Sequence, residues 1–433
     1  MAEIQFKGEI YRRSEEILNY FGVRPYTDRE KDLIFELALD EAAHKPTFPS
    51  ELEPRYLTDS FIPGSNVLSI ASGGSNNYVQ VFNARDEFNS IPGSEFNMPI
   101  PDGKKSFERK EYNDADDFYN TVVSLLAPTL KTIFSRVKRI DSIGFVYSFP
   151  GNAIITANEN VDIQPDADMS KGYVVPGIDQ EFAGVSLIRA LRKAGYPIEE
   201  DMPYVVGNDA SFLGLGVAGA QLSIIDGTGF NIARTVIQPD GTLRLDATES
   251  GDFLRLMLLS QIENELNRAS KHPGTYIAET ICGGKSLELL MNRIISEYES
   301  AGLLRSIGPI SGPQISQLIR HKHPITGFEQ YIPADQHIWN ILRKPAIAFR
   351  DRAEAVITGI TSATLHAHPH LLRDRDVYMA LEGSTLLYIP GLAQEFTENI
   401  QTMFPENDFH FVSSSSVYGA GFAAHRAYAR SLG

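Results

Sequence analysis

The stretch LSIASGGSNN, Leu68–Asn77, returns near the middle of the chain in altered form as LSIIDGTGFN, Leu222–Asn231. Each copy is an apolar run, broken by glycines and followed by a second strand-like segment, YVQVFN from Tyr78 in the first case. The period-2 character on both sides of the glycines predicts two β-hairpins. Glycine at such a turn permits positive φ and lets backbone N–H groups face outward with no Cβ in the way, a surface suited to phosphate oxygens. One such turn alone is an ordinary tight hairpin. Two with matching flanks point to a duplicated unit.

Composition agrees with a large folded chain. The 433 residues, 42% apolar and 22% charged, suffice for more than one core and predict more than one domain. A net charge of −16 opposes association with a phosphate backbone or an anionic bilayer, so nucleic acid and membrane partners are disfavoured. No apolar run approaches the roughly 18 residues of a membrane span, and MAEIQFKGEIYRR does not read as a signal peptide. The expected location is the cytoplasm. The single cysteine, Cys282, excludes an intramolecular disulfide framework and a cysteine-based zinc site.

Around the two hairpins, helical and strand-like segments alternate. Apolar residues recur every three to four positions through the first 45 residues, as at Ile17, Leu18 and Phe21 and then Ile34, Leu37 and Ala38, predicting two helices. DDFYNTVVSLLAPTLKTIFSRV reads as a helix, IGFVYSF as a buried strand ended by Pro150 and Gly151, GVSLIRALRKAG as a helix, and MPYVVGND as a strand plus loop. After Gly251 the chain becomes helix-rich. It closes with strands in DVYMALEGSTLLYI and FHFVSSSS, then an expected glycine turn and a helix in VYGAGFAAHRAYARS. Runs of Pro and Gly are short, so no disordered linker is expected.

The order of short motifs resembles the hexokinase family, the eukaryotic type that includes glucokinases, within the actin-like ATPase and sugar kinase superfamily. The resemblance runs nearly end to end from KPTFPSE. SIGFVYSFPGN is similar to the family's GF-x-FSFP sugar-binding segment, MPYVVGNDAS to V-N-D-T, IIDGTGFN to the second phosphate motif, and TESGDF to N-T-E-W-G-x-F. LEGSTLLYIP and VYGAGFAAHRA are similar to the D-G-S and G-S-G-x-G-A-A adenosine-side motifs. What this implies is an α/β fold of two ribonuclease H-like (actin-like ATPase) domains flanking a deep cleft. Residues 1–56 would be N-terminal helices packing on the larger domain. Residues 57–203, completed by a C-terminal helix over 419–433, would form the smaller domain, and 204–418 the larger.

The resemblance also implies a site. Asp209 would be the general base that takes the proton from the sugar's primary hydroxyl; read locally, the N-D pair is equally a turn or helix cap. Ser148, Ser170, Lys171, Asn208, Asn231, Glu249 and Glu279 match the family's sugar contacts, a mixture of carboxylates and amides suited to pyranose hydroxyls. Gly73, Gly74, Ser75 and Asn76 would form the first phosphate hairpin and Gly227, Thr228 and Gly229 the second. Gly383, Ser384, Gly419 and Gly421 would flank the adenosine. ATP is the implied co-substrate, and Mg²⁺ is implied with it, because the nucleotide's charge must be screened.

Several positions depart from the family pattern. Ala71 stands where a metal-organising aspartate is expected two residues before the first G-G, Tyr78 where an arginine follows, Ala247 for the asparagine and Ser250 for the tryptophan of N-T-E-W-G. Asp226, immediately before the second GTG, is a candidate to organise the metal's water shell instead, with an ordinary turn aspartate as the alternative. His366, His368 and His370 alternate in LHAHPH, but Pro369 and the helical segment before them argue against a metal face. His321 and His323 read as an exposed loop, and Cys282 as an apolar packer. The expected activity is an ATP-dependent hexokinase, with glucose as the leading acceptor, working as a monomer or homodimer. Two rivals stay open: a catalytically weak sugar sensor, suggested by Ala71 and Tyr78, and a kinase for another sugar such as mannose, fructose or an amino sugar.

Overall fold

A computed structural model describes residues 2–50, 62–72, 76–84, 88–90, 96–99, 111–149, 151–167, 173–270, 272–320 and 336–432. Helices α1 (Ala2–Phe21) and α2 (Asp28–His44) open the chain, before the two-residue strand β1 (Phe48–Pro49). Strands β2 (Asn66–Ser72), β3 (Asn76–Ala84), β4 (Phe88–Ser90) and β5 (Phe96–Pro99) precede α3 (Ala115–Arg136), β6 (Ser142–Tyr147), β7 (Gly151–Ile155) and β8 (Val161–Pro165). Next come α4 (Ala183–Lys193), β9 (Tyr204–Gly207) and α5 (Asp209–Leu215), then β10 (Ala220–Asp226), β11 (Phe230–Ile237) and β12 (Leu243–Ala247). Helices α6 (Gln261–Arg268), α7 (Ile277–Cys282), α8 (Gly284–Ser300), α9 (Gly312–Ile319) and α10 (Gln336–Ala367) follow. The chain closes with β13 (Asp376–Glu382), α11 (Ser384–Tyr388), α12 (Leu392–Met403), β14 (Asp408–Ser413) and α13 (Ser416–Ser431).

The strands form two sheets on one plan. In the first, β2 and β3 are an antiparallel hairpin, with β6 parallel to β2 and β9 parallel to β6. In the second, β10 and β11 are the antiparallel hairpin, with β13 parallel to β10 and β14 parallel to β13. The repeated sequence thus marks a repeated topology. β6 is buried along its whole length, as its unbroken apolar run requires of a strand covered on both faces. Tyr204–Gly207, expected at the start of the larger domain, pairs with β6 and so belongs to the smaller domain's sheet.

The last helix of each half packs on the other half. α5, which follows β9, lies on β10, β11 and β12, whereas α13, which follows β14, lies on β6, β2 and β9, and the two helices pack on each other. The expected glycine turn before the C-terminal helix is absent: the helix starts at Ser416, capped by the Ser415 side chain, and carries Gly419 and Gly421 inside it. Close packing explains both this and a glycine in β6. A Cβ on Gly419 would stand 1.7 Å from the Phe212 carbonyl oxygen of α5, and one on Gly144 would stand 2.3 Å from the Ala420 carbonyl oxygen of α13.

The N-terminal helices pack on the larger half, α2 along α10 and α1 against α8 and α10. Thr27 and Glu30 form a reciprocal capping box at the start of α2. The core of the larger half runs through these helices, including the buried Trp339 and Ile34, and a separate core with Phe118, Tyr119 and Phe145 fills one side of the smaller sheet. Among the described residues no helix is long and apolar enough to cross a membrane.

Candidate active site

Between the two sheets lies a cavity of ≈ 530 Å³, lined from the smaller half by Ala71, Tyr78, Ser148 and Phe149 and from the larger by the Gly227–Gly229 turn. A second, of ≈ 780 Å³, adjoins it and shares Phe149, Asn208, Glu249 and Tyr276. The chain crosses from one sheet to the other at Gly207–Asp209, at the carboxyl end of β9. Asn208 caps α5 by accepting the Ala210 N–H at 2.9 Å, which leaves Asp209 as the first helical residue, half-buried on the cavity wall. The local reading as a cap and the reading as a cleft residue are therefore both met, by neighbouring residues.

The expected polar contacts converge on the same cavity. Ser148, Asn208, Asp209, Asn231, Glu249 and Glu279 all line it. Asn231 is tied to the Glu249 turn: its Nδ2 donates to Glu249 Oε1 at 3.0 Å, while its Oδ1 accepts the Ser250 N–H at 3.2 Å. Glu279, on α7, accepts the Phe230 N–H at 3.4 Å. A Cβ on Gly229 would fall 2.4 Å from the Glu279 carboxylate, so glycine at this position lets the turn and the acid touch. Ser170 and Lys171 lie outside the described residues, as do Gly73, Gly74 and Ser75. Asn76 is described only as the first residue of β3, opposite Pro99.

The second glycine turn is held from behind. The Gly227 carbonyl accepts the Gly284 N–H and the Thr385 hydroxyl, both at 2.8 Å, and the Thr228 carbonyl accepts the Lys285 N–H at 3.2 Å. With these acceptors engaged, Gly227, Thr228 and Gly229 present a cleft wall low in side-chain bulk, suited to anionic oxygens. Gly383 and the exposed Ser384 line the same end. Gly383 has φ of 115°, and a Cβ there would stand 2.1 Å from the Asp226 carbonyl oxygen. Gly419 and Gly421 do not line either cavity: they are buried in α13 and serve its packing rather than a ligand.

Asp226 is not presented to the cleft. Its side chain is fully buried, and neither carboxylate oxygen has a hydrogen-bond partner among the described residues. Burial, then the negative charge of Glu279, pushes its pKa well above the usual carboxylate range. Cys282 is buried alongside, as expected of a packing residue, and its thiol is likewise pushed up by burial and by Asp226 and Glu279. The acid that does line the cleft here is Glu382, which motif reading passed over as the residue before Gly383-Ser384. It accepts the Ser416 N–H at 2.8 Å, and burial together with the nearby Asp209 charge pushes its pKa up to about 7. Its one sequence signal is that Glu stands where the D-G-S motif has Asp.

The departures at Ala71 and Tyr78 prove to be a single feature. The two residues are directly opposed in the β2–β3 register, and both line the cavity. An uncharged cross-strand pair therefore stands where the resemblance placed an aspartate and an arginine. Ala247 and Ser250 are buried, and the Ser250 hydroxyl has no hydrogen-bond partner among the described residues. The histidines of LHAHPH each bond a backbone carbonyl, His366 to Ser362, His368 to Ala42 and His370 to Thr235. Among the described residues no group of three or more His, Cys, Asp or Glu could hold a metal ion. His321 and His323 lie outside the described residues.

No protein-family model and no curated protein matches the sequence. Solved structures do match. A hexokinase from Schistosoma mansoni, complexed with glucose, superposes with a TM-score of 0.74 over 96% of this chain and 99% of its own, at 17% identity. A second hexokinase gives a TM-score of 0.64 over 98% of this chain and 100% of its own, at 15% identity. At such identities the likeness is one of fold: the chain has the two-domain, actin-like ATPase fold that hexokinases share.

Proposed function

We propose that this protein is an ATP-dependent sugar kinase that transfers the γ-phosphoryl group of ATP to the 6-hydroxyl of a hexose, with glucose the first acceptor to test. The observation that supports this best is the convergence of Asn208, Asp209, Asn231, Glu249 and Glu279 on one cavity that also holds the Gly227–Gly229 turn. Phosphoryl transfer asks little covalent chemistry of a protein beyond positioning, charge stabilisation and a base for the attacking hydroxyl. Asn231, Glu249 and Glu279 offer acceptors and donors for ring hydroxyls. Asp209, half-buried at the crossing between the sheets, is the carboxylate to receive the proton of the primary hydroxyl. The glycine turn with Ser384 receives the phosphates.

Mg²⁺ bound with the nucleotide supplies screening of phosphate charge. Of the acids near the turn, Asp209, Glu279 and Glu382 line the cavity and Asp226 does not; with Asp209 assigned as base and Glu279 to the acceptor, Glu382 is the group that would hold its water shell. Glu382 fits this role chemically: a carboxylate whose pKa is raised by burial and by a like charge is one that a cation relieves. The test is ADP release from purified protein with Mg²⁺·ATP, with and without glucose, beside Asp209→Ala. Sugar-dependent turnover that falls by about 10²–10⁴-fold in the variant, while calorimetry still shows sugar binding, supports the assignment. Activity untouched in Asp209→Ala sinks it.

One observation favours a second reading, the sugar sensor: the Ala71–Tyr78 pair leaves the first hairpin uncharged where phosphate chemistry would use a charged one. Glucose binding without turnover in the same assay would put that reading first. A panel of mannose, fructose and amino sugars separates a kinase of different acceptor preference.

A further inference from the structure

Among the described residues, four other than glycine have positive φ, and three of them surround one carboxylate. Glu249 (φ 50°), Leu254 (φ 68°) and Tyr276 (φ 52°) sit around Asp252, the position that the N-T-E-W-G-x-F pattern leaves open. Left-handed backbone at such residues is unfavourable and persists only where its surroundings impose it. Here those surroundings can be named. Asp252 Oδ1 accepts the Tyr276 N–H at 3.0 Å, and the Asp252 N–H bonds the Glu249 carbonyl at 3.0 Å. Lys45, the residue that caps α2, donates to Asp252 Oδ2 at 3.0 Å and to the Glu249 carbonyl at 3.4 Å. Arg255 closes on the same carboxylate, and Glu41 of α2 accepts the Leu254 N–H at 2.5 Å.

Two of the three strained residues, Glu249 and Tyr276, are the ones that line both cavities. We infer that Asp252, bridged to Lys45 of the N-terminal helices, is a positioning residue of the acceptor site, holding the backbone from which Glu249 and Tyr276 reach the cleft. Asp252 lines the larger cavity but not the one that holds Asp209, and it acts on the latter through those two residues. Lys45 and Arg255 both pair with Asp252, which is only 9% exposed. Removing the carboxylate would take away the acceptor of the Tyr276 N–H and the ion-pair partner of both cations, and release the left-handed turn at Glu249. The N-terminal helices thereby become part of acceptor recognition, although neither offers a side chain to the cavity that holds Asp209.

The inference rests on the acceptor reading of the cleft, so its test has one arm that needs a sugar and one that does not. In the first, calorimetry with glucose and steady-state kinetics compare the full chain with Asp252→Ala, Asp252→Asn and Lys45→Met. Asp252→Ala should weaken glucose binding by about 10–100-fold while the KM for ATP stays within about twofold. Asp252→Asn, which keeps an acceptor for the Tyr276 N–H, should recover part of that loss. In the second arm, a crystal structure of Asp252→Ala, or of Lys45→Met if the alanine variant does not fold, should show Glu249 or Tyr276 leaving the left-handed region. Unchanged glucose affinity in all three variants, or an equal loss at the ATP site, overturns the inference, as does retention of both left-handed residues. If the wild-type chain binds no sugar, the acceptor reading falls, and the crystallographic arm alone decides whether Asp252 sets this backbone.

Discussion

Asp226 and Glu382 end adjacent parallel strands of one sheet, yet their surroundings give them opposite uses. Glu382 has the Ser416 N–H as a partner and a face on the cavity. Asp226 has neither, and its pKa is raised on folding, so above about pH 4 the folded state holds a proton that the unfolded state gives up. The stability Asp226 contributes is therefore present at low pH and lost as pH rises. Asp226→Asn has no such proton and should remove that slope, so that its melting temperature gains on the wild type between pH 5 and pH 8 in a thermal scan. The same variant should leave the KM for Mg²⁺·ATP unchanged, whereas Glu382→Gln should raise it about tenfold, the order of a lost charge-assisted contact. A steep rise in the Mg²⁺ requirement of Asp226→Asn would mean that its carboxylate turns into the cleft after all. Residue order shows an acid before a glycine in both cases; whether the carboxylate is buried or faces the cavity depends on tertiary packing, and that is not written locally.

At the scale of elements, the two hairpins were legible because alternation, glycine and alternation are local signals, and the Asn208 cap was legible for the same reason. The partner of β9 was not, since an apolar strand carries no mark of which sheet it joins. Gly419 and Gly421 show the opposite failure: a glycine-rich string reads as a turn from sequence, while here glycine is required by a helix pressed against another backbone. Gly419→Ala places a methyl group 1.7 Å from a carbonyl oxygen that belongs to α5 and cannot swing aside. The helices must separate, at a cost of about 3 kcal/mol or more, so the melting temperature should fall by roughly 3 °C or more for a chain of this size. Gly8→Ala, in an exposed helical position with nothing within 4 Å of the added carbon, is the control and should hold or raise stability. Equal, small effects from both changes would show that α13 is not packed on α5 as described.

For the whole molecule, the exchange of final helices decides how the halves can move. Because α5 lies on the second sheet and α13 on the first, and the two touch, rotation of one half relative to the other must pivot on this pair, directly beneath Asp209. The cavities of ≈ 530 and ≈ 780 Å³ are together roomier than one hexose requires, and they open between Ser148 and Phe149 on one side and Glu249 and Glu279 on the other. An acceptor that bonds both sides gains contacts only if they approach, and that approach expels the water which would otherwise compete with the sugar hydroxyl for the phosphoryl group. Saturating glucose should therefore shrink the radius of gyration in solution scattering by up to ~1 Å, against a value of roughly 22 Å expected for a compact chain of this length. Asp209→Ala should still close, since the proposed base is not needed to bring the walls together. Glu249→Ala should not, since it removes a proposed acceptor contact from the larger half. Scattering curves that superpose with and without sugar, in a protein that binds it, would mean a rigid cleft, and the exclusion of water would then have to come from the site's own walls. In that case hydrolysis of ATP without sugar should be readily measurable in the coupled assay, whereas a closing enzyme keeps it far below the sugar-dependent rate.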